Sequence, residues 1–170
     1  MLSQLLSEDD YPDELVNLYN PGFTGSVIFL AGHAYQEKAG RSLPFVYPYI
    51  VITLVAVDEF RQRLPSRVAG RISDWVQTNA DVLIGFPARA VALKPFVDSG
   101  IVFLSGKNLV KFEQDGCRFS NRGGVRGRLG NARLSSGAVE NELRCAGLLG
   151  RWLAGESDIS SVLAFFGIKP

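Results

Sequence analysis

The chain has 170 residues, enough for one well-filled core, and 46% of them are hydrophobic, which excludes general disorder. With 18 basic and 17 acidic side chains the net charge is +1, so phosphate binding spread over the whole surface is excluded as well. The charges are unevenly placed: residues 8–14 read EDDYPDE, while residues 116–139 hold five arginines and no carboxylate.

Cys117 and Cys145 are the only cysteines. They lack metal-ligand spacing, and two unclustered cysteines fit a reducing compartment. The start of the chain has no basic, apolar and small-residue succession of a signal peptide. The longest apolar run, residues 43–57, contains Pro44, Pro48 and Thr53 and falls short of the ~20 residues that cross a bilayer. These features point to a cytoplasmic protein with no membrane partner.

In chain order, Pro12 begins a short helix that Asn20-Pro21 stops, because proline disfavours helical geometry in the residue before it. From Phe23 onward, Val27, Leu30, Ala31, Ala34 and Tyr35 recur at helical spacing, and Gly40 is placed to end that helix. Gly25 and Gly32 within it suit the close approach of another helix. Between Tyr47 and Arg63 the residues Ile50, Val51, Ile52, Val55 and Val57 individually favour a strand. The length of the run and its charged end, DEFRQR, favour a buried helix that surfaces at its last turn.

Leu64-Pro65-Ser66 restarts the chain, with Ser66 placed to cap a helix. In that helix Val68, Ile72, Trp75 and Val76 share one face, and Asn79 closes it. Pro87 and Pro95 can each open a helix, giving one over 87–94 and another over 95–105; the alternative is one long helix kinked at Pro95. Asp115-Gly116, between Phe112 and Phe119, is a hairpin turn signal. Residues 120–137 are rich in glycine, arginine and serine with no apolar period, and read as a flexible loop. Beyond them Val139, Leu143, Ala146, Leu149 and Leu153 define an amphipathic helix. Ser157 then caps a last short helix over 158–166, which Gly167 ends.

The fold class that follows is mainly α with a small β-hairpin. Three short helices followed by a two-stranded wing, over about 44–120, suggest a winged helix-turn-helix-like core with extra N- and C-terminal helices. No repeat or linker divides the chain, so residues 1–170 read as a single domain, with the loop at 120–137 and C-terminal helices at 138–167.

Chemistry is sparse. His33 is the sole histidine, which excludes any site needing two, and no spacing gives it an acidic or nucleophilic partner. The glycines from Gly123 to Gly130 do not follow a strand within a βαβ unit, so the dinucleotide fingerprint fails on context. Ser105-Gly106-Lys107-Asn108 resembles the tail of a P-loop, but Asn108 stands where Ser or Thr must meet magnesium. No carboxylate pair has a spacing that forces general-acid or metal chemistry. The reading is a protein that is not an enzyme and needs no cofactor or metal.

Arg118, Arg122, Arg126, Arg128 and Arg133 are the candidate nucleic-acid-binding residues, since they can reach several phosphates and the glycines among them let a backbone approach. The same arginines can instead pair with carboxylates on a partner protein. The segment from Pro95 to Leu104 argues against base reading: Asp98 and Ser99 are its polar side chains, where a DNA-reading helix presents Arg, Lys, Asn or Gln. Its Phe96, Ile101 and Phe103 are therefore candidate partner-binding residues.

Short stretches spread through most of the chain resemble the middle component of ABC-three-component systems, the class that includes Lamassu-type anti-phage and anti-plasmid defence. They are Asn20-Pro21 with Phe23, Leu43-Pro44, Arg61 to Pro65, Val82-Leu83-Ile84-Gly85-Phe86, Arg89 to Phe96, and the close from Leu149-Gly150-Arg151-Trp152-Leu153 to Phe166-Gly167-Ile168-Lys169-Pro170. The resemblance implies a non-enzymatic accessory subunit. Its partners would be an SMC-like or Rad50-like ABC ATPase and an effector, often a nuclease, with double-stranded DNA held on the ATPase. It would help couple DNA sensing to effector control, and the family offers no catalytic residues to carry over. The competing expectation is a free-standing winged-helix DNA-binding regulator; a third, an uncharacterised hydrolase, needs a pocket joining His33 or a cysteine to a carboxylate.

Overall fold

A computed structural model describes residues 20–131 and 137–169. The acidic stretch at 8–14, the helix expected from Pro12 and Arg133 lie outside the described residues.

Helix α1 (Pro21–Ala39) is the axis of the fold. Asn20 caps it, its side-chain oxygen accepting from the Gly22 N–H at 2.9 Å, and Pro21 occupies the first turn, where its missing N–H is not needed. Gly40, at φ 67°, ends it as expected. Val27, Ile28, Phe29, Ala31 and Tyr35 are all buried, so the helix is apolar nearly all round and is packed on several sides. Helix α2 (Tyr47–Ala56) is buried almost throughout. The strand-favouring residues within it are helical, as length and flank implied. The chain breaks at Val57 before the short α3 (Asp58–Arg61), so the surfacing turn is a separate element.

Residues 64–71 differ from expectation, since Ser66 caps nothing. Gly70 is left-handed at φ 68°, Arg71 is extended, and α4 (Ile72–Thr78) starts only there. Long-range bonds hold this segment out of helix. The Trp152 indole N–H donates to the Gly70 carbonyl at 3.1 Å, and Arg144 donates to that of Ser66 at 3.3 Å. Asn79 closes α4 as expected, and α5 (Ala80–Leu83) follows at once.

The two helices expected around Pro95 are one, α6 (Phe86–Gly106), with Pro95 in its interior; the long-helix alternative is the one observed. Strands β1 (Val110–Glu113) and β2 (Gly116–Phe119) pair antiparallel, with Val110 opposite Phe119 and Glu113 opposite Gly116. The turn is therefore Gln114-Asp115, one residue earlier than expected. Gly116 belongs to the strand, where a Cβ would stand 2.1 Å from the Leu43 carbonyl oxygen. Leu43 bonds Cys117 in both directions, at 2.9 and 2.7 Å, and so covers that edge of the hairpin. The other end is held to α1: Phe119 is buried, its carbonyl accepting from the Gln36 side-chain amide at 3.0 Å.

The stretch after the hairpin, expected as a loop, is helical over part of its described residues. A 3-10 turn (Arg122–Gly124) leads into α7 (Val125–Asn131). The amphipathic α8 (Gly137–Leu153) lies against α1 so closely that a Cβ on Gly150 would stand 2.0 Å from the Ala31 carbonyl oxygen. Helix α9 (Ile159–Phe165) is capped by Asp158 rather than Ser157, and Gly167 follows its end at φ 70°. Buried side chains from α1, α2, α6, α8, α9 and the hairpin form one apolar cluster. The chain is thus mainly helical with a two-stranded antiparallel hairpin.

Candidate docking site

Of the expected site residues, the structure brings Phe103 and Arg122 together. Both line a hollow of about 380 Å³ between α1, the end of α6, and α7. Its apolar walls are Phe29, Phe103, Leu104, Leu109, Val125 and Leu129, with Ser26 beside them. Among the described residues, Lys107 and Arg122 are its charged lining residues, both exposed, and no carboxylate lines it. The Phe103 ring is seated over Gly25, where a Cβ would come within 3.0 Å of it, and Lys107 Nζ lies 5.7 Å from the ring centroid. Glycine on α1 thus lets α6 approach, and that approach places Phe103 at the edge of the hollow.

The other arginines divide. Arg118 on β2 is paired with Glu113 at 2.8 Å, and Arg126 on α7 with Glu37 of α1. Glu113 also accepts from the Ser42 hydroxyl, and that bond, followed by Arg118, holds its carboxyl below the usual range. Arg128 is exposed on α7 beside Gly123. Phe96 and Ile101 are half-buried against the core and line neither this hollow nor the next.

A second apolar hollow, of about 460 Å³, opens between the start of α2, the first turns of α6 and the tail after α9. Val46, Pro87, Ala90, Val91, Leu163 and Ile168 form its walls, with Lys94 and Lys169 at its rim. Pro87 and Gly167 are shared with an adjoining hollow that reaches Ile84. Ile84 is 84% exposed and Val91 74%, values large for side chains of this kind. Phe45, one residue before Val46, stacks loosely on Phe112 with ring centres 6.4 Å apart, and both rings are exposed. One wall is polar and fixed: the Tyr49 hydroxyl donates to Asp98 at 2.7 Å and Lys94 to its other oxygen at 2.5 Å. Burial, reinforced by the Asp98 bond, pushes the Tyr49 phenol up to about 12.

Sequence reasoning missed Ile84, Val91, Val125 and Leu129. The i, i+4 pair Val125 and Leu129 was a readable helix signal, masked by the arginines and glycines around it. Ile84 and Val91 were unreadable as exposed, because an apolar residue looks the same in the sequence whether it faces a core or solvent.

Burial shifts the two thiols and the histidine from their ordinary values. Burial raises the Cys117 thiol to about 11 and raises that of Cys145 as well. Burial lowers His33, whose Nδ1 stands 3.9 Å from Glu37. No group of three potential metal ligands occurs among the described residues, and no helix there is long and apolar enough to cross a membrane.

Fold and surface together define a small helical protein with apolar hollows among its described residues. The chain belongs to the family of ABC-three component (ABC-3C) system Middle Component 3, whose model matches residues 8–170. It is therefore a middle component of an ABC-three-component system. No curated protein and no solved structure matches it.

Proposed function

We propose that this chain is a non-catalytic accessory subunit that docks on an SMC- or Rad50-like ABC ATPase in the cytoplasm and helps couple DNA sensing to control of an effector, in a defence system of the Lamassu type. The observation that carries this reading is the pair of apolar hollows, which share no lining residue. A subunit that couples two others needs two contact surfaces, and family membership supplies the setting in which there are two others to contact. Their apolar walls favour protein over nucleic acid, whose backbone asks for donors and positive charge. Among the described residues, Arg128 is an exposed arginine of the stretch that lines neither hollow and has no ion pair, and it is the one suited to touch DNA held on the ATPase.

The test is co-expression of this chain with the ATPase and effector components of its own system, followed by size-exclusion chromatography with light scattering. The proposal expects one particle containing all three. A free-standing regulator would instead elute alone and bind duplex DNA by itself, with affinity falling steeply as salt rises.

A further inference from the structure

We propose that the hollow between α1, α6 and α7 receives a segment of one of the partner subunits in which apolar side chains are flanked by carboxylates. This rests on the accessory-subunit reading above and assigns the chemistry of one of its contacts. The walls supply the apolar half of the match, since Phe103, Leu109, Val125 and Leu129 are only half-buried and stay partly open to solvent. The rim supplies the other half. Lys107 and Arg122 line the hollow from two different elements, and among the described residues no acidic side chain lines it. An apolar floor under an all-basic rim selects an occupant that is apolar in the middle and acidic at its edges, because the wrong sign at the rim is repelled as strongly as the right one is drawn in.

Two other occupants fit less well. Single-stranded nucleic acid would need aromatic faces on which bases stack, but Phe29 is fully buried and Phe103 is turned onto Gly22 and Gly25. Duplex backbone would meet the rim charges and leave the apolar walls uncovered. A second copy, which carries the exposed Phe112 and Asp115 at its hairpin turn, is told apart from a partner subunit by the identity of the crosslinked peptide.

The experiment uses the co-expressed three-component complex with a photo-crosslinking benzoylphenylalanine at position 125, in the wall of the hollow. After irradiation, mass spectrometry identifies the linked peptide. The expected result is a peptide of the ATPase or effector carrying at least two carboxylates beside apolar residues. Reversing the rim with Lys107→Glu and Arg122→Glu should cut that crosslink about tenfold, and the neutral pair Lys107→Gln and Arg122→Gln should cut it less. Both sites are exposed, and unchanged circular dichroism verifies that the variants fold.

A crosslink to residues 1–19 of the same chain, to a second copy, or to DNA overturns the proposal. So does a crosslink indifferent to rim charge, or its absence in an intact complex. If no complex assembles at all, the accessory-subunit reading fails first and the proposal falls with it.

Discussion

Gly150 shows how closely single positions constrain this protein. A Cβ there would overlap the Ala31 backbone at 2.0 Å, and a main-chain atom cannot swing aside as a side chain can. Gly150→Ala is expected to lower stability by about 1–3 kcal/mol, the usual cost of forcing volume into a packed interface; urea denaturation measures it. Arg61 is the complementary case, a buried charge held by its surroundings. Its guanidinium donates to the Val55 carbonyl at 2.7 Å, to Asp58 at 2.6 Å and to Glu142 at 3.2 Å, while Glu142 is 3% exposed. Removing the cation alone, in Arg61→Met, should cost about 3–5 kcal/mol, because a buried carboxylate then loses its counter-charge. Adding Glu142→Leu should recover part of that loss, and a double variant no more stable than the single one would contradict this account.

The helices show where the sequence was readable and where it was not. Helix α1 followed from its apolar spacing and from Asn20, Pro21 and Gly40, each of which acts through its own backbone and needs no distant partner. Helix α8 was legible for the same reason. The break predicted at Pro95 failed because a proline on an exposed helix face forfeits one hydrogen bond without having to end the helix, while Ala90, Leu93, Val97 and Leu104 anchor the inner face on both sides of it. Ser66 failed as a cap because Trp152 and Arg144, remote in sequence, claim the local backbone carbonyls.

At α9 the cap is Asp158, whose carboxylate accepts from Ser160 and Ser161 and is held below its ordinary 3.8 chiefly by the Ser161 hydroxyl. A depressed folded value means that the cap contributes fully above about pH 4 and loses its contribution as pH falls through the folded value. Asp158→Ala should therefore be less stable than wild type at neutral pH, with the gap narrowing in acid. A gap that stays constant from pH 7 to pH 2 would show that the carboxylate is not the cause.

For the molecule as a whole, the mainly helical class and the hairpin were legible, because period and turn residues are local properties. The candidate site was legible only in fragments. Phe103 and Arg122 were each singled out, for different partners, and the fold places them in one hollow. What joins them is the packing of α6 on the glycines of α1, a tertiary contact that no local pattern states. The apolar valley at Ile84 and Val91 was hidden for a related reason, since its meaning lies in exposure.

That valley allows the most direct trial of the central claim, that this middle component works by docking through surfaces left apolar for its partners. Tagged wild-type chain and the double variant Ile84→Asp with Val91→Asp, expressed at low level in native cells, would be purified at moderate salt and their companions identified. Both substituted positions are exposed, so the variant should melt within about 0.5 kcal/mol of wild type. The account predicts that wild type brings down a large coiled-coil ATPase and an effector, and that the variant loses at least one of them. Wild type arriving alone, or with DNA that nuclease strips away, or both forms carrying the same companions, would contradict it.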